Sequence, residues 1–168
     1  LVLIGSLVGT TVVAGRSPHV LYRPEQIPVR FDDVRGIEPV KAEVLRSLNL
    51  FLASQVFSQE MGGTARRGLL FEGPPGTGKT KMVQSIAKTA GLSLISTSVA
   101  SWFSRSSGDL DAVVKCLVEV VDRAMQSAPA LLFLDEIDAI PSRVTLSARG
   151  RDWWLPVITG CLLEIDRL

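Results

Sequence analysis

The run Gly73-Pro74-Pro75-Gly76-Thr77-Gly78-Lys79-Thr80 constrains this chain more than any other feature. It satisfies the GxxxxGK[ST] pattern, which works only where a buried strand leads into a helix. Both flanks meet that requirement. Leu69-Leu70-Phe71 is a short apolar run suited to a parallel strand, and Met82, Val83, Ile86, Ala87 and Ala90 mark one face of a helix that Gly91 ends. The glycines allow successive backbone N–H groups to turn inward around phosphate oxygens, and the helix start beyond them adds a favourable dipole. Lys79 is then placed to reach the β and γ phosphates, and the Thr80 hydroxyl to hold magnesium. A glycine-rich turn with a surface lysine is the plainer alternative, and the flanking strand and helix argue against it.

Downstream the pattern keeps alternating. Leu92-Ser93-Leu94-Ile95 reads as a second strand, and Val113, Val114, Leu117, Val118, Val121 and Met125 form a helical stripe that closes near Pro129. Leu131-Leu132-Phe133-Leu134 is the strongest strand. Upstream, a helix is expected from Glu38-Pro39, with Val40, Val44, Leu45, Leu48 and Leu52 at helical spacing. The last segment, from Trp153 to Ile165, is helical again, with Pro156 expected close to its first turn. Alternation of this kind predicts a parallel sheet with helices on its faces. Asp135-Glu136 follows the strongest strand directly, so both carboxylates emerge at the carboxyl end of the sheet, where open α/β folds bind ligands. Asp135 is expected to hold magnesium through water, and Glu136 to polarise an attacking water as general base.

Composition excludes several other classes. With 168 residues, 46% of them hydrophobic and 21% charged, the chain suits one globular domain. Lys and Arg number 18 against 17 Asp and Glu, so no global field favours nucleic acid, and none is expected as a partner. One histidine, His19, and two cysteines, Cys116 and Cys161, leave no material for a zinc site or a Ser-His-Asp triad; the thiols read as buried and reduced. Residues 1–15 are apolar and uncharged, with Arg16, His19 and Arg23 following. They read as the end of a transmembrane helix, as a buried strand or helix of a preceding domain, or as a signal-peptide remnant. Pro18, Pro24 and Pro28 make residues 16–30 a linker, and residues 31–168 the domain proper.

Three segments together resemble AAA+ ATPases: Gly73 to Thr80, Asp135-Glu136-Ile137-Asp138-Ala139-Ile140, and Phe31-Asp32-Asp33-Val34-Arg35-Gly36. The similarity runs from Phe31 to Leu168. Within that superfamily the chain is most similar to the membrane-anchored metalloproteases of the FtsH type, where an apolar span, a short linker and an Asp-Val-x-Gly motif precede the loop. The resemblance implies the AAA+ form of the P-loop NTPase fold: a three-layer α/β domain with a parallel sheet, here its N-terminal part only. The strand belonging between Leu69-Leu70-Phe71 and Leu131-Leu132-Phe133-Leu134, the sensor, the arginine finger and the lid are expected after Leu168. Residues 1–168 alone are accordingly expected to be poorly stable and nearly inactive.

The resemblance further implies ATP and Mg2+ as ligands, with adenine against Asp33, Val34 and Gly36 and the triphosphate on Gly73, Pro74, Pro75, Gly76, Thr77, Gly78, Lys79 and Thr80. Lys79, Asp135 and Glu136 take the catalytic roles, and Thr80 and Asp135 the metal. A homo-oligomeric ring, usually a hexamer, that remodels or unfolds protein substrates, with or without an attached protease to feed, is implied, with a cytoplasmic ATPase domain anchored at the inner membrane. A nucleotide-regulated scaffold without efficient hydrolysis is the alternative; peptidase activity has no His-Glu-x-x-His to support it in this sequence. The chain departs from the family at Ser106-Ser107-Gly108, where an aromatic-hydrophobic-Gly pore loop is usual. Trp102 and Phe103 are candidates to replace it, although two aromatics next to a strand are more often core residues. Trp153 and Trp154 stand where polar residues are usual and are expected to pack at helix or subunit surfaces, and Lys81 replaces a usual Leu on a solvated helix face.

Overall fold

A computed structural model describes residues 17–53, 68–106, 109–144 and 146–168. In chain order its elements are β1 (Val20–Tyr22), α1 (Glu38–Leu52), α2 (Lys79–Ala90), β2 (Ser93–Ser98), α3 (Val99–Ser106), α4 (Leu110–Gln126), β3 (Ala130–Asp135) and α5 (Ala148–Asp166). Strands β2 and β3 pair in parallel, from Ser93 opposite Ala130 to Ser98 opposite Asp135. Strand β1 adds to the other edge of β2 in the antiparallel sense, giving the order β1-β2-β3.

Side chains alternate across a strand, so an uninterrupted apolar run supplies two faces at once. Leu94, Leu131 and Phe133 meet Val83 and Ala87 of α2 on one face. On the other, Ile95, Leu132 and Leu134 meet Val120 and Ala124 of α4. This is the three-layer arrangement that the alternating pattern predicts. Helix α1 packs outside α2 through Val44 and Leu48 against Met82 and Ile86. Helices α3 and α5 pack on α4 through Val99, Trp102, Val113, Leu117, Val157 and Cys161. Each large side chain buried in this way stabilises the fold by roughly 1.5–3 kcal/mol relative to exposure. Burial also pushes the Cys161 thiol up to about 11, in keeping with an inert core cysteine.

Several expectations are corrected. Leu69-Leu70-Phe71 is not a strand: it has no ladder partner among the described residues, and Leu70 is 81% exposed. A strand is defined by its neighbour, and an apolar run without one leaves its N–H and C=O groups to water. The sheet is mixed, because the segment read as linker contributes β1. Pro156 lies well inside α5, which starts at Ala148, earlier than its apolar stripe; Pro156 is exposed, so its missing N–H costs a bond on the solvent side. Helix α3 has no counterpart among the elements that the apolar pattern predicts. Its Trp102 is 1% exposed and belongs to the core, so it does not replace a pore-loop aromatic. Ser107 and Gly108 lie outside the described residues, as does the apolar stretch 1–15; among the described residues no helix is long and apolar enough to cross a membrane.

One buried hydroxyl ties β1 to the core. Thr97 Oγ1 accepts from Trp102 Nε1 at 2.7 Å and donates to the Pro18 carbonyl at 2.6 Å. Thr97→Val keeps the volume but leaves a buried indole N–H and a carbonyl unpaired, so it is expected to cost about 1–3 kcal/mol per unsatisfied group. Urea unfolding followed by tryptophan fluorescence checks this; an unchanged midpoint contradicts it.

Candidate active site

The site is built where α2 begins and β2 and β3 end. The loop before α2 holds Gly73, Gly76 and Gly78 at φ of +154°, +80° and +91°, values that a side chain would strain, which is why glycine is needed as the backbone curls. The Thr77 hydroxyl braces the curl by donating to the Pro74 carbonyl at 2.9 Å. Lys79 folds back over the loop, its Nζ donating to the carbonyls of Gly73 at 2.6 Å and Pro74 at 2.9 Å. Its ammonium is thereby held at the mouth of the curl by contacts that a stronger, anionic acceptor can replace. Pro75 completes the loop and is exposed, and Lys81 points to solvent as expected.

Thr80 and Asp135 are brought together across the sheet end. Thr80 Oγ1 lies 3.4 Å from Asp135 Oδ2. The other oxygen of Asp135 accepts the backbone N–H of Glu136 at 3.0 Å. That bond accompanies an uncommon backbone state: Glu136 has φ +54°, in the left-handed region, where a residue without glycine's freedom needs local support. The chain turns sharply there, and the Glu136 carboxylate swings over β2 to accept from the Ser98 hydroxyl at 2.5 Å. Ser98 and Asp135 are register partners at the carboxyl ends of parallel strands, so the two carboxylates and the hydroxyl share one rim.

The Asp33–Gly36 segment reaches the same helix by another route. Val34 is buried against Met82 and Ile86 of α2, while Asp33 and Gly36 stay exposed. The turn Phe31–Asp33 is closed by the Arg30 N–H, which donates to the Asp33 carboxylate at 2.8 Å. The loop, Thr80, Asp135, Glu136 and the Asp33–Gly36 segment are thus all carried by α2 or by the strand ends next to it. Two polar residues at or near this assembly escaped the sequence reading. Ser98 was detectable only as the polar last residue of a strand paired in register with Asp135. Lys41 carries no signal in the sequence, where a lysine among apolar neighbours reads as part of a solvated face.

Among the described residues no group of three His, Cys, Asp or Glu side chains is placed to hold a metal. Thr80 and Asp135 instead offer two hard oxygen donors, a set that suits Mg2+, which keeps waters and phosphate oxygens as its remaining ligands. Elsewhere, Trp153 and Trp154 pack with Phe103, ring centroids 6.0 and 5.3 Å away, in an aromatic cluster between α3 and α5.

Comparison with known proteins gives the assembly a family. The model for AAA, the ATPase family associated with various cellular activities, matches residues 69–152, half of the chain. An ATP-dependent zinc metalloprotease FtsH 1 of Symbiobacterium thermophilum is 37% identical over 142 residues, which cover 84% of this chain and 23% of that protein. An ATP-dependent zinc metalloprotease FtsH of Burkholderia pseudomallei is 35% identical over 153 residues, 90% of this chain and 22% of the relative. The human ATPase family gene 2 protein homolog B is 36% identical over 139 residues, 83% of this chain and 18% of that protein. The chain therefore spans about a quarter or less of the length of these curated relatives. A glycine loop entering a helix, an acidic strand end beside it and this family match lead to one conclusion: the chain belongs to the AAA family of ATPases.

Proposed function

We propose that this chain binds ATP with Mg2+ between the Gly73–Thr80 loop and the ends of β2 and β3, and hydrolyses it there. One observation carries the reading: Thr80 Oγ1 and Asp135 Oδ2, 55 positions apart in sequence, meet at 3.4 Å beside the loop. Two oxygen donors converging next to a curl of glycines make a site for a cation that accompanies a phosphate chain.

Each residue then has a task. Lys79 exchanges the Gly73 and Pro74 carbonyls for phosphate oxygens, which as anions bind its ammonium more strongly. Backbone N–H groups from Gly76 to Thr80 would meet the phosphate oxygens, as a glycine-rich turn before a helix allows. Thr80 and Asp135 would hold Mg2+, which when bound offsets negative charge on the phosphate oxygens. Glu136 takes a proton from the attacking water, and the Ser98 hydroxyl positions its carboxylate before the water arrives. Asp33, Val34 and Gly36 would hold the adenine ring, with Val34 packed on α2.

At the scale of the whole protein, the reading is a motor that does mechanical work on protein substrates as a hexameric ring. Support comes from the resemblance and from the two relatives named as ATP-dependent proteases. Peptidase activity is not part of the proposal. A cytoplasmic ATPase domain tied to the inner membrane rests on the resemblance and on the apolar residues 1–15. The usual pore-loop aromatic has no counterpart at Ser106, which is buried, so substrate gripping falls to other residues.

In the intact protein, Glu136→Gln is expected to retain Mg-ATP binding while turnover drops by about 10²–10⁴-fold, the usual contribution of a general base. Parallel binding and phosphate-release assays check this. Equal turnover assigns the proton transfer elsewhere, and a wild type that binds ATP without hydrolysing it favours the nucleotide-regulated scaffold. Lys79→Ala is expected to abolish Mg-dependent ATP affinity, measured by calorimetry; undiminished affinity removes the loop from the site.

A further inference from the structure

Lys41 is unusual for its position. It lies on the core-facing stripe of α1 with Val44 and Leu48, and it is 8% exposed, whereas the neighbouring Val40 is 44% exposed. A buried ammonium is costly unless its donors are satisfied, so its partners matter more than its helix. Lys41 Nζ donates to the Val34 carbonyl at 3.0 Å, lies 3.3 Å from a Glu38 carboxylate oxygen, and stands 4.8 Å from the centroid of the Phe31 ring. Two of these three partners belong to the segment read above as facing adenine or to the turn that leads into it.

The Val34 contact fixes an orientation. The Val34 N–H already donates to the Phe31 carbonyl at 3.3 Å, so with Lys41 on its carbonyl both backbone groups of Val34 are engaged. In a trans peptide the C=O and the next N–H point in opposite directions. Pinning the Val34 carbonyl on Lys41 Nζ therefore turns the Arg35 N–H away from that ammonium, in a stretch where Arg35 and Gly36 are exposed. Among the described residues the Arg35 N–H makes no hydrogen bond. An unpaired backbone donor suits a ring-nitrogen acceptor such as adenine N1, and opposes guanine, which presents an N–H at the same place.

We infer that Lys41 is a positioning residue for base recognition: it does not touch the nucleotide, but by holding the Val34–Arg35 peptide it sets the preference for adenine over guanine. The inference rests on the reading of Asp33, Val34 and Gly36 as the adenine-facing segment. It assigns Lys41 no part in binding phosphate.

The test compares ATP, GTP and inorganic tripolyphosphate, each with Mg2+, on the intact protein. Lys41→Met fills the same space without a donor. It is expected to weaken ATP binding about tenfold, the scale of one lost hydrogen bond, while GTP and tripolyphosphate affinities stay within about twofold, so the ATP-to-GTP preference collapses. Lys41→Arg, which can still donate to Val34, is expected to keep that preference. An unchanged ATP-to-GTP ratio in Lys41→Met overturns the inference, and so does an equal loss for all three ligands, which would make Lys41 a general structural support. A wild type that binds tripolyphosphate but does not distinguish ATP from GTP overturns the underlying reading of the base segment as well. Amide hydrogen exchange in the wild type gives a check that no folding defect can obscure. The Arg35 N–H is expected to be protected by ATP and not by tripolyphosphate, and equal exchange in both states contradicts the proposal.

Discussion

The parallel ladder between β2 and β3 is the interaction on which the rest depends. Its register sets Ser98 opposite Asp135, and so decides which side chains leave the sheet together at its carboxyl end. A slip of one residue would send Leu132 and Leu134 to the face of α2 and Leu131 and Phe133 to that of α4. The apolar residues would survive such a slip, since both faces are covered. The rim would not, because Asp135 would no longer meet Thr80. Register is therefore enforced by the fit of α2 and α4 against their own sets of side chains, and the chemistry of the rim depends on that fit.

A second layer of organisation comes from lysines used as anchors. Lys79 spans its own loop, Lys41 holds the Val34 carbonyl, and Lys88 on α2 donates to the Ile27 carbonyl. In each case an ammonium with three donors gathers backbone carbonyls that no helix or strand satisfies. The segment from Ile27 to Gly36 has no regular structure beyond single turns, yet these contacts and the burial of Ile27 and Val34 hold it on α2. A chain with almost no net charge can still place individual cations where irregular backbone needs them.

Whatever was encoded within a single segment was legible in the sequence. The Gly73–Thr80 loop, the stripe of α2 with its Gly91 end, the stripe of α4 and the run before Asp135 each carry their signal locally, and the structure realises the elements they predict. What depended on a distant partner was not legible. Leu69-Leu70-Phe71 has strand composition but no neighbour among the described residues, whereas Val20–Tyr22, flanked by prolines, becomes a strand because β2 offers it an edge. Helix α3 was hidden because Trp102 and Phe103 follow a strand directly, so the change from alternating to helical period falls within two residues. Ser98 and Lys41 are ordinary residues in the sequence, and only the fold gives Glu136 and Val34 to them as partners.

The central claim is that Thr80 and Asp135 act together on one cation accompanying the phosphate chain. A double-mutant cycle with Thr80→Val and Asp135→Asn, read as Mg-dependent ATP affinity in the intact protein, tests it most directly. If both side chains serve the same ion, either substitution weakens binding and the double variant is little worse than the weaker-binding single one. Strictly additive losses, or affinity indifferent to magnesium in the wild type, would contradict the account.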